Sequence, residues 1–170
     1  SYLLHGFSGS GKTSTARIIA AALNCESKGQ DGEPCGKCQS CEAIKEARHW
    51  DVLEVDATRT RGIDDVKELC YRACFAPMGK FKVYIIDECH QLGAPAWAAM
   101  LKLLEEPPKT IVIILCTTDF SDIPETIASR CQCVEFKKVE PDNIVKKLAR
   151  ICNDLRIPID YNALRFIAES

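Results

Sequence analysis

The chain has 170 residues, 46% of them hydrophobic and 27% charged, with a formal net charge of −2. This is the composition of a globular protein large enough to bury a core without staples. Its slight negative charge argues against nucleic-acid binding through bulk charge, leaves room for a local basic patch, and comes with no apolar run of the roughly 20 residues that a membrane helix needs.

In chain order, Ser1 to Gly6 turns polar too soon for a signal peptide; Tyr2-Leu3-Leu4 reads instead as the end of a short strand. A glycine-rich turn follows, then a helix from about Thr13 to Asn24, with Ile18, Ile19, Ala21, Ala22 and Leu23 as its expected apolar stripe. Residues 25–41 form a cysteine- and glycine-bearing insert. Val52-Leu53-Glu54-Val55 reads as a strand, and Gly62 to about Phe75 as a helix with Ile63, Val66, Leu69 and Cys70 on one face. Pro77-Met78-Gly79 is a turn. Lys82 to Ile86 is a strand ending in acids, and Ala96 to Leu104 a helix closed by Pro107-Pro108. Ile111 to Cys116 is a continuous apolar run, the mark of a strand buried on both faces. A short helix near Pro124 to Ala128 and a strand near Cys133 to Phe136 complete an alternation that means a parallel sheet in an α/β fold. Beyond Glu140-Pro141 the pattern is all-helical, through Leu155 and again from Tyr161. We expect one domain over 1–140 and the beginning of a second over 141–170. The chain enters directly into a strand and stops inside a helical pattern, so it reads as a segment of a longer one.

Gly6-Phe7-Ser8-Gly9-Ser10-Gly11-Lys12-Thr13 fits G-x-x-x-x-G-K-[ST] at every fixed position. The glycines let backbone N–H groups turn inward as a nest around phosphate oxygens. The following helix points its positive end at the same anion. Lys12 is expected to reach the β- and γ-phosphates of ATP, and the Thr13 hydroxyl to ligate Mg²⁺. Gly6, Ser8, Gly9, Ser10, Gly11, Lys12, Thr13 and Ser14 are the candidate nucleotide-binding set. A chance glycine-rich turn would not carry the strand before and the helix after.

Val83-Tyr84-Ile85-Ile86-Asp87-Glu88 is an apolar strand ending in two carboxylates. Asp87 is the candidate Mg²⁺ holder and Glu88 the candidate general base toward the attacking water. A solvated strand end is the plainer alternative, weakened by the complete phosphate loop upstream. Asp87-Glu88-Cys89-His90 also spells the D-E-x-H box of some helicases, but no arginine-rich helicase motif follows; His90 reads as a polar residue at a strand exit. Ile111 to Thr118 ends in two hydroxyls, able to meet a γ-phosphate or water, although threonine also favours strands for its shape.

There are 11 cysteines, an odd count that leaves one unpaired in any disulfide framework. Seven sit in apolar sequence contexts, which points to a reducing compartment and hence the cytoplasm. The other four, Cys25, Cys35, Cys38 and Cys41, share the insert. Four thiolates suit a closed, structural tetrahedral zinc site, with an iron–sulfur cluster as runner-up and free thiols or a redox C-x-x-C pair as the plain alternatives.

The phosphate loop, Leu23-Asn24-Cys25, Pro34-Cys35-Gly36-x-Cys38-x-x-Cys41, Val83 to Glu88, Leu103-Leu104-Glu105-Glu106-Pro107-Pro108, Thr117-Thr118 and Ser129-Arg130-Cys131-Gln132 together resemble the gamma/tau subunits of the bacterial DNA polymerase III clamp loader. The resemblance covers essentially the whole chain. It implies an AAA+ P-loop NTPase fold, with a parallel sheet flanked by helices, an inserted zinc module and the start of a small helical lid. It implies an ATP-driven motor subunit of the DNA polymerase III holoenzyme, with Thr118 as the sensor hydroxyl and Arg130 as an arginine finger toward a neighbouring subunit's ATP. The implied cofactors are ATP, Mg²⁺ and zinc. The implied partners are gamma/tau copies, delta and delta-prime, the beta sliding clamp, primed DNA, and the polymerase core through a C-terminal region outside these residues; no membrane is implied, and the location is cytoplasmic at the nucleoid. Two other readings are a nucleotide-binding zinc scaffold without hydrolysis and a related helicase or branch-migration motor. From the residues themselves, Arg59-Thr60-Arg61-Gly62 before a helix is a candidate DNA-backbone contact.

Overall fold

The computed structural model describes residues 1–59 and 63–169. The chain separates into two units, Ser1–Phe136 and Lys137–Ser170.

In the first unit, β1 (Tyr2–Gly6) leads through the glycine-rich loop into α1 (Lys12–Asn24); the cysteine insert follows and runs into α2 (Gln39–Lys45). Then come β2 (Val52–Asp56), α3 (Ile63–Ala73), β3 (Lys82–Asp87), a single 3-10 turn at Cys89–Gln91, α4 (Ala94–Glu105), β4 (Ile111–Thr117), α5 (Glu125–Ala128) and β5 (Gln132–Phe136). All strand pairings are parallel, in the spatial order β2-β3-β4-β1-β5. The registers Ile86↔Leu115 and His5↔Thr117 bring the carboxyl ends of β1, β3 and β4 to one edge of the sheet. That edge is where an open α/β sheet presents ligand-binding residues.

Successive strand residues face opposite sides, and both sides are covered. Leu3, Tyr84, Ile86, Ile113 and Leu115 pack with Val66 and Leu69 of α3 and with Trp97, Met100 and Leu104 of α4. Leu4, Val83, Ile85, Ile114 and Cys116 pack with Ala16, Ala20 and Ala21 of α1 and with Cys41 and Ile44 of α2. Each wholly buried Leu or Ile contributes about 1.5–3 kcal/mol. This is the expected three-layer α/β/α arrangement.

Two expectations need correction. The stripe of α1 that meets the sheet is Ala16, Ala20, Ala21 and Asn24, and Ile18 is 57% exposed. At 3.6 residues per turn Ile18 lies across the axis from Ala16 and Ala20, and only small side chains let this helix lie close to the strands. Nor are all seven scattered cysteines buried. Cys89 and Cys116 are, but Cys74 and Cys133 are exposed.

In the second unit, α6 (Pro141–Asp154) and α7 (Tyr161–Glu169) pack together, with Val145 and Leu164 as their buried side chains. No helix among the described residues is long and apolar enough to cross a membrane.

Candidate nucleotide and metal sites

The glycine-rich loop bridges β1 and α1. Gly6 takes φ +143°, and a Cβ there would lie 2.1 Å from the Phe136 carbonyl oxygen, so β5 leaves room for hydrogen alone. Gly11 caps α1 in the left-handed region, at φ +95°, with no side-chain cap on the helix. The first N–H groups of α1 therefore remain available to an anion. Lys12 is buried, and its Nζ donates to the Gly6 and Phe7 carbonyls, each at 2.9 Å. Ser10 Oγ is buried without a hydrogen-bond partner among the described residues. An open cavity of about 270 Å³ is lined by Ser8, Gly9, Gly11, Lys12, Thr13, Ser14, Asp87 and Glu88. A fixed ammonium and open helix N–H groups at a polar cavity fit a polyphosphate.

β3 delivers the two acids to the same place. Thr13 Oγ1 donates to Asp87 Oδ2 at 2.8 Å, joining the start of α1 to the end of β3. A hydroxyl and a carboxylate in contact form a hard oxygen pair suited to Mg²⁺. Glu88 follows with φ +47°, a left-handed conformation that costs a non-glycine residue about 1–2 kcal/mol. This bend turns its side chain toward the end of β4. There Thr118 Oγ1 donates to Glu88 Oε2 at 2.8 Å, and the Thr118 N–H lies 3.3 Å from the same oxygen. The two threonines differ in their surroundings. Thr117 is wholly buried, donates to the Asp119 carbonyl and sits 3.0 Å from His90 Nδ1; Thr118 is exposed and meets the acid. The His90 contact across strands went unread in the sequence, because D-E-x-H spacing says nothing of what the histidine faces.

The cysteines gather at the other end of α1. Cys25 caps the helix, Cys35 and Cys38 lie in the loop, and Cys41 sits in the first turn of α2. Their four sulfurs lie within 4.8 Å of one another, and Cys25 and Cys38 Sγ are 4.0 Å apart. A disulfide needs about 2 Å, whereas a tetrahedral ion with Zn–S near 2.3 Å sets its sulfurs about 3.8 Å apart. Backbone N–H groups of Cys35 and Cys38 point at the sulfurs of Cys25 and Cys35, each at 3.3 Å. Amides directed from Glu26 and Cys41 draw the Cys38 thiol down to about 6, and the amide of Cys35 lowers that of Cys25. Burial pushes the Cys41 thiol up to about 12. The set fits one soft tetrahedral cation; an iron–sulfur cluster places bridging sulfides between its thiolates and would spread them. Two polar contacts absent from the sequence reading secure the root of this module. Lys80 Nζ donates to the Cys25 carbonyl, and Asn24 Oδ1 accepts the Phe81 N–H.

Arg130, just past α5, lies apart from the glycine-rich loop's cavity lining. It donates to the Thr126 carbonyl at 2.6 Å and pairs with Glu105, at the end of α4, at 2.8 Å. Arg59 pairs with Asp56 at 3.4 Å, while Thr60, Arg61 and Gly62 of the candidate DNA contact lie outside the described residues.

Residues 1–140 match the family described as DNA polymerase III, delta subunit. The chain is 41% identical over 170 residues to DNA polymerase III subunit tau of Bacillus subtilis (strain 168), covering 99% of this chain and 30% of that protein. It is also 41% identical over 170 residues to Protein STICHEL-like 1 of Arabidopsis thaliana, covering 98% of this chain and 15% of that protein. The chain thus spans less than a third of either relative. Among solved structures, a DNA polymerase III gamma subunit-related protein of Thermotoga maritima aligns with TM-score 0.57 and 24% identity over 92% of this chain and 48% of that one. The Thermotoga maritima RuvB Holliday junction branch migration motor aligns with TM-score 0.67 and 16% identity over 98% and 47%. At such identities the two structures speak for a shared fold alone. The family match and the identity across the whole chain together establish that it belongs to the DNA polymerase III, delta subunit family, and that its likeness to tau/gamma subunits runs from end to end.

Proposed function

We propose that this chain binds and hydrolyses ATP as a motor subunit of a DNA polymerase III clamp loader, driving a sliding clamp onto primed DNA. The observation that carries the reading is the convergence of Lys12, Thr13, Asp87, Glu88 and Thr118 at one edge of the sheet. Lys12 leaves its two carbonyls for the β- and γ-phosphate oxygens, and the amides of residues 9–14 close around them. Thr13 and Asp87 would hold Mg²⁺, which would offset the charge on the phosphate oxygens. Glu88 takes a proton from the attacking water as its oxygen reaches the γ-phosphorus and the bond to ADP breaks. Thr118 orients Glu88. Arg130 exchanges Glu105 for the γ-phosphate of a neighbouring subunit's ATP, which makes hydrolysis conditional on assembly. Cys25, Cys35, Cys38 and Cys41 would hold a zinc ion in a structural rather than chemical role.

The test uses the full-length chain assembled with its partner subunits. Glu88→Gln should retain ATP binding and lose hydrolysis by about 10²–10⁴-fold, because an amide cannot accept the proton. A wild-type rate in this variant would overturn the general-base assignment. Clamp placement on primed DNA is scored separately. The equal identity to Protein STICHEL-like 1 concerns the same 170 residues, so the ATPase reading and the clamp-loading reading stand or fall on different measurements. Hydrolysis without clamp placement would leave only the first.

A further inference from the structure

His90 is the polar group at this edge that the proposed mechanism leaves without a task. Its side chain is only 13% exposed, and its Nδ1 lies 3.0 Å from Thr117 Oγ1 and 3.4 Å from Glu88 Oε2. Counting hydrogens settles the direction of these contacts. A threonine hydroxyl has one proton to give and two lone pairs to receive with. Thr117 Oγ1 gives its proton to the Asp119 carbonyl at 2.8 Å and receives the Asp119 N–H at 3.0 Å. One lone pair remains, so the contact with His90 is a donation from Nδ1–H. A bare Nδ1 would set its lone pair near the carboxylate of Glu88; a protonated one gives its hydrogen to Thr117 and presents the positive end of the ring N–H to Oε2 from 3.4 Å. The two contacts of Thr117 with Asp119 thus favour the tautomer that carries its proton on Nδ1.

Glu88 Oε2 accepts from Thr118 Oγ1 at 2.8 Å and from Thr118 N–H at 3.3 Å, and His90 Nδ1 stands 3.4 Å from the same oxygen without a hydrogen bond between them. Among the described residues no donor reaches Oε1. One oxygen of the carboxylate is anchored and the other is left to receive. We propose that His90, its Nδ1–H anchored on Thr117, is a positioning residue that braces Glu88 Oε2 at the end of β4 and so selects which carboxylate oxygen faces the water. This rests on the hydrolytic reading above and deepens it. The reason a brace is needed lies in the backbone. Glu88 sits in the left-handed region at the start of a 3-10 turn of three residues, which by itself fixes the side chain weakly. Thr117 is the right post for the brace because it is wholly buried, with its hydroxyl tied on both sides to Asp119.

The distinguishing feature is which nitrogen matters. An asparagine amide can place an N–H near the position of Nδ1; a glutamine amide reaches instead to the position of Nε2. In the full-length chain, assembled with its partners, His90→Ala and His90→Gln should each lower kcat for ATP hydrolysis about tenfold, with KM for ATP within about twofold of wild type. His90→Asn should recover most of the lost rate. In a Glu88→Gln background, His90→Ala should lower the residual rate by less than about twofold, since the brace then holds a group that can no longer act. Three results overturn the proposal: an unchanged kcat in His90→Ala, equal losses in the Asn and Gln variants, or full additivity with Glu88→Gln. Should His90→Ala fail to fold, the Asn and Gln pair decides alone. If wild type hydrolyses ATP and any of these results appears, the brace is wrong and the ATPase stands. If the wild-type assembly binds ATP without hydrolysing it, both fall together.

Discussion

The two ends of α1 carry two different kinds of site. At its amino end the loop is shaped by backbone. Gly6 and Gly11 hold positive-φ conformations that L side chains rarely adopt, and the ammonium of Lys12 already rests on two carbonyls. At its carboxyl end the arrangement is one of side chains. Four sulfurs converge from the end of α1, the start of α2 and the loop between them, whose residues 26–33 are all exposed. The first site is a consequence of the sheet and helix around it and exists before any ligand arrives. The second has little apolar packing of its own in the loop, so the ion it would hold supplies part of its folding free energy.

The largest expected effect tests that asymmetry directly. Removing metal, or replacing Cys35 and Cys38 by serine, should release residues 26–38. Isolated structural zinc modules bind with roughly 10 kcal/mol or more, and most of it is lost with the ligands. Hydrogen exchange should quicken in that loop and leave β1, β3 and β4 protected; if the strands open as well, the two ends are not independent. Lys12→Ala comes next. It should lower ATP turnover on the order of 10²–10³-fold, the scale of losing one preorganised charge-stabilising donor, with zinc content unchanged. Loss of zinc in that variant would show that the loop shapes the far end of the helix. Gly6→Ala should cost about 1–3 kcal/mol by overpacking, because its Cβ would meet the Phe136 carbonyl. Chemical denaturation measures this, and a neutral result would mean that β5 moves aside freely. The smallest effect is expected midway along the helix. Arg17 pairs with Glu54 at 2.6 Å, but both are partly exposed, so Arg17→Ala should cost at most about 1 kcal/mol and less at high salt.

How far the sequence could be read follows the same division. The glycine-rich loop was legible because its glycines and lysine are fixed by local geometry and lie within eight consecutive residues. The alternation of strands and helices was legible because buried parallel strands are apolar without interruption, as Ile111 to Leu115 are. The cysteine cluster showed as a spacing, yet α2, which supplies Cys41, did not, because Gln39–Lys45 is too short to display a period. Ile18 misled because one turn of α1 is apolar on more than one side, and only the sheet decides which side is inner. The contacts of His90 with Thr117, of Arg130 with Glu105 and of Lys80 with Cys25 join residues 27, 25 and 55 positions apart. They depend on strand order and helix placement, which no local pattern encodes.

The tie between Asn24 and Phe81 has a practical bearing on how this chain can be shortened. β3 starts beside that tie and ends at the acidic pair, so the root of the cysteine module and the candidate nucleotide site share one strand. A deletion confined to residues 26–34 exchanges surface for a linker. A cut one or two residues earlier takes away the acceptor of the Phe81 N–H and of Lys80, and each unmade bond costs about 1 kcal/mol at the foot of that strand. Trimmed versions should therefore keep Asn24 and Cys25 even where the metal is dispensed with.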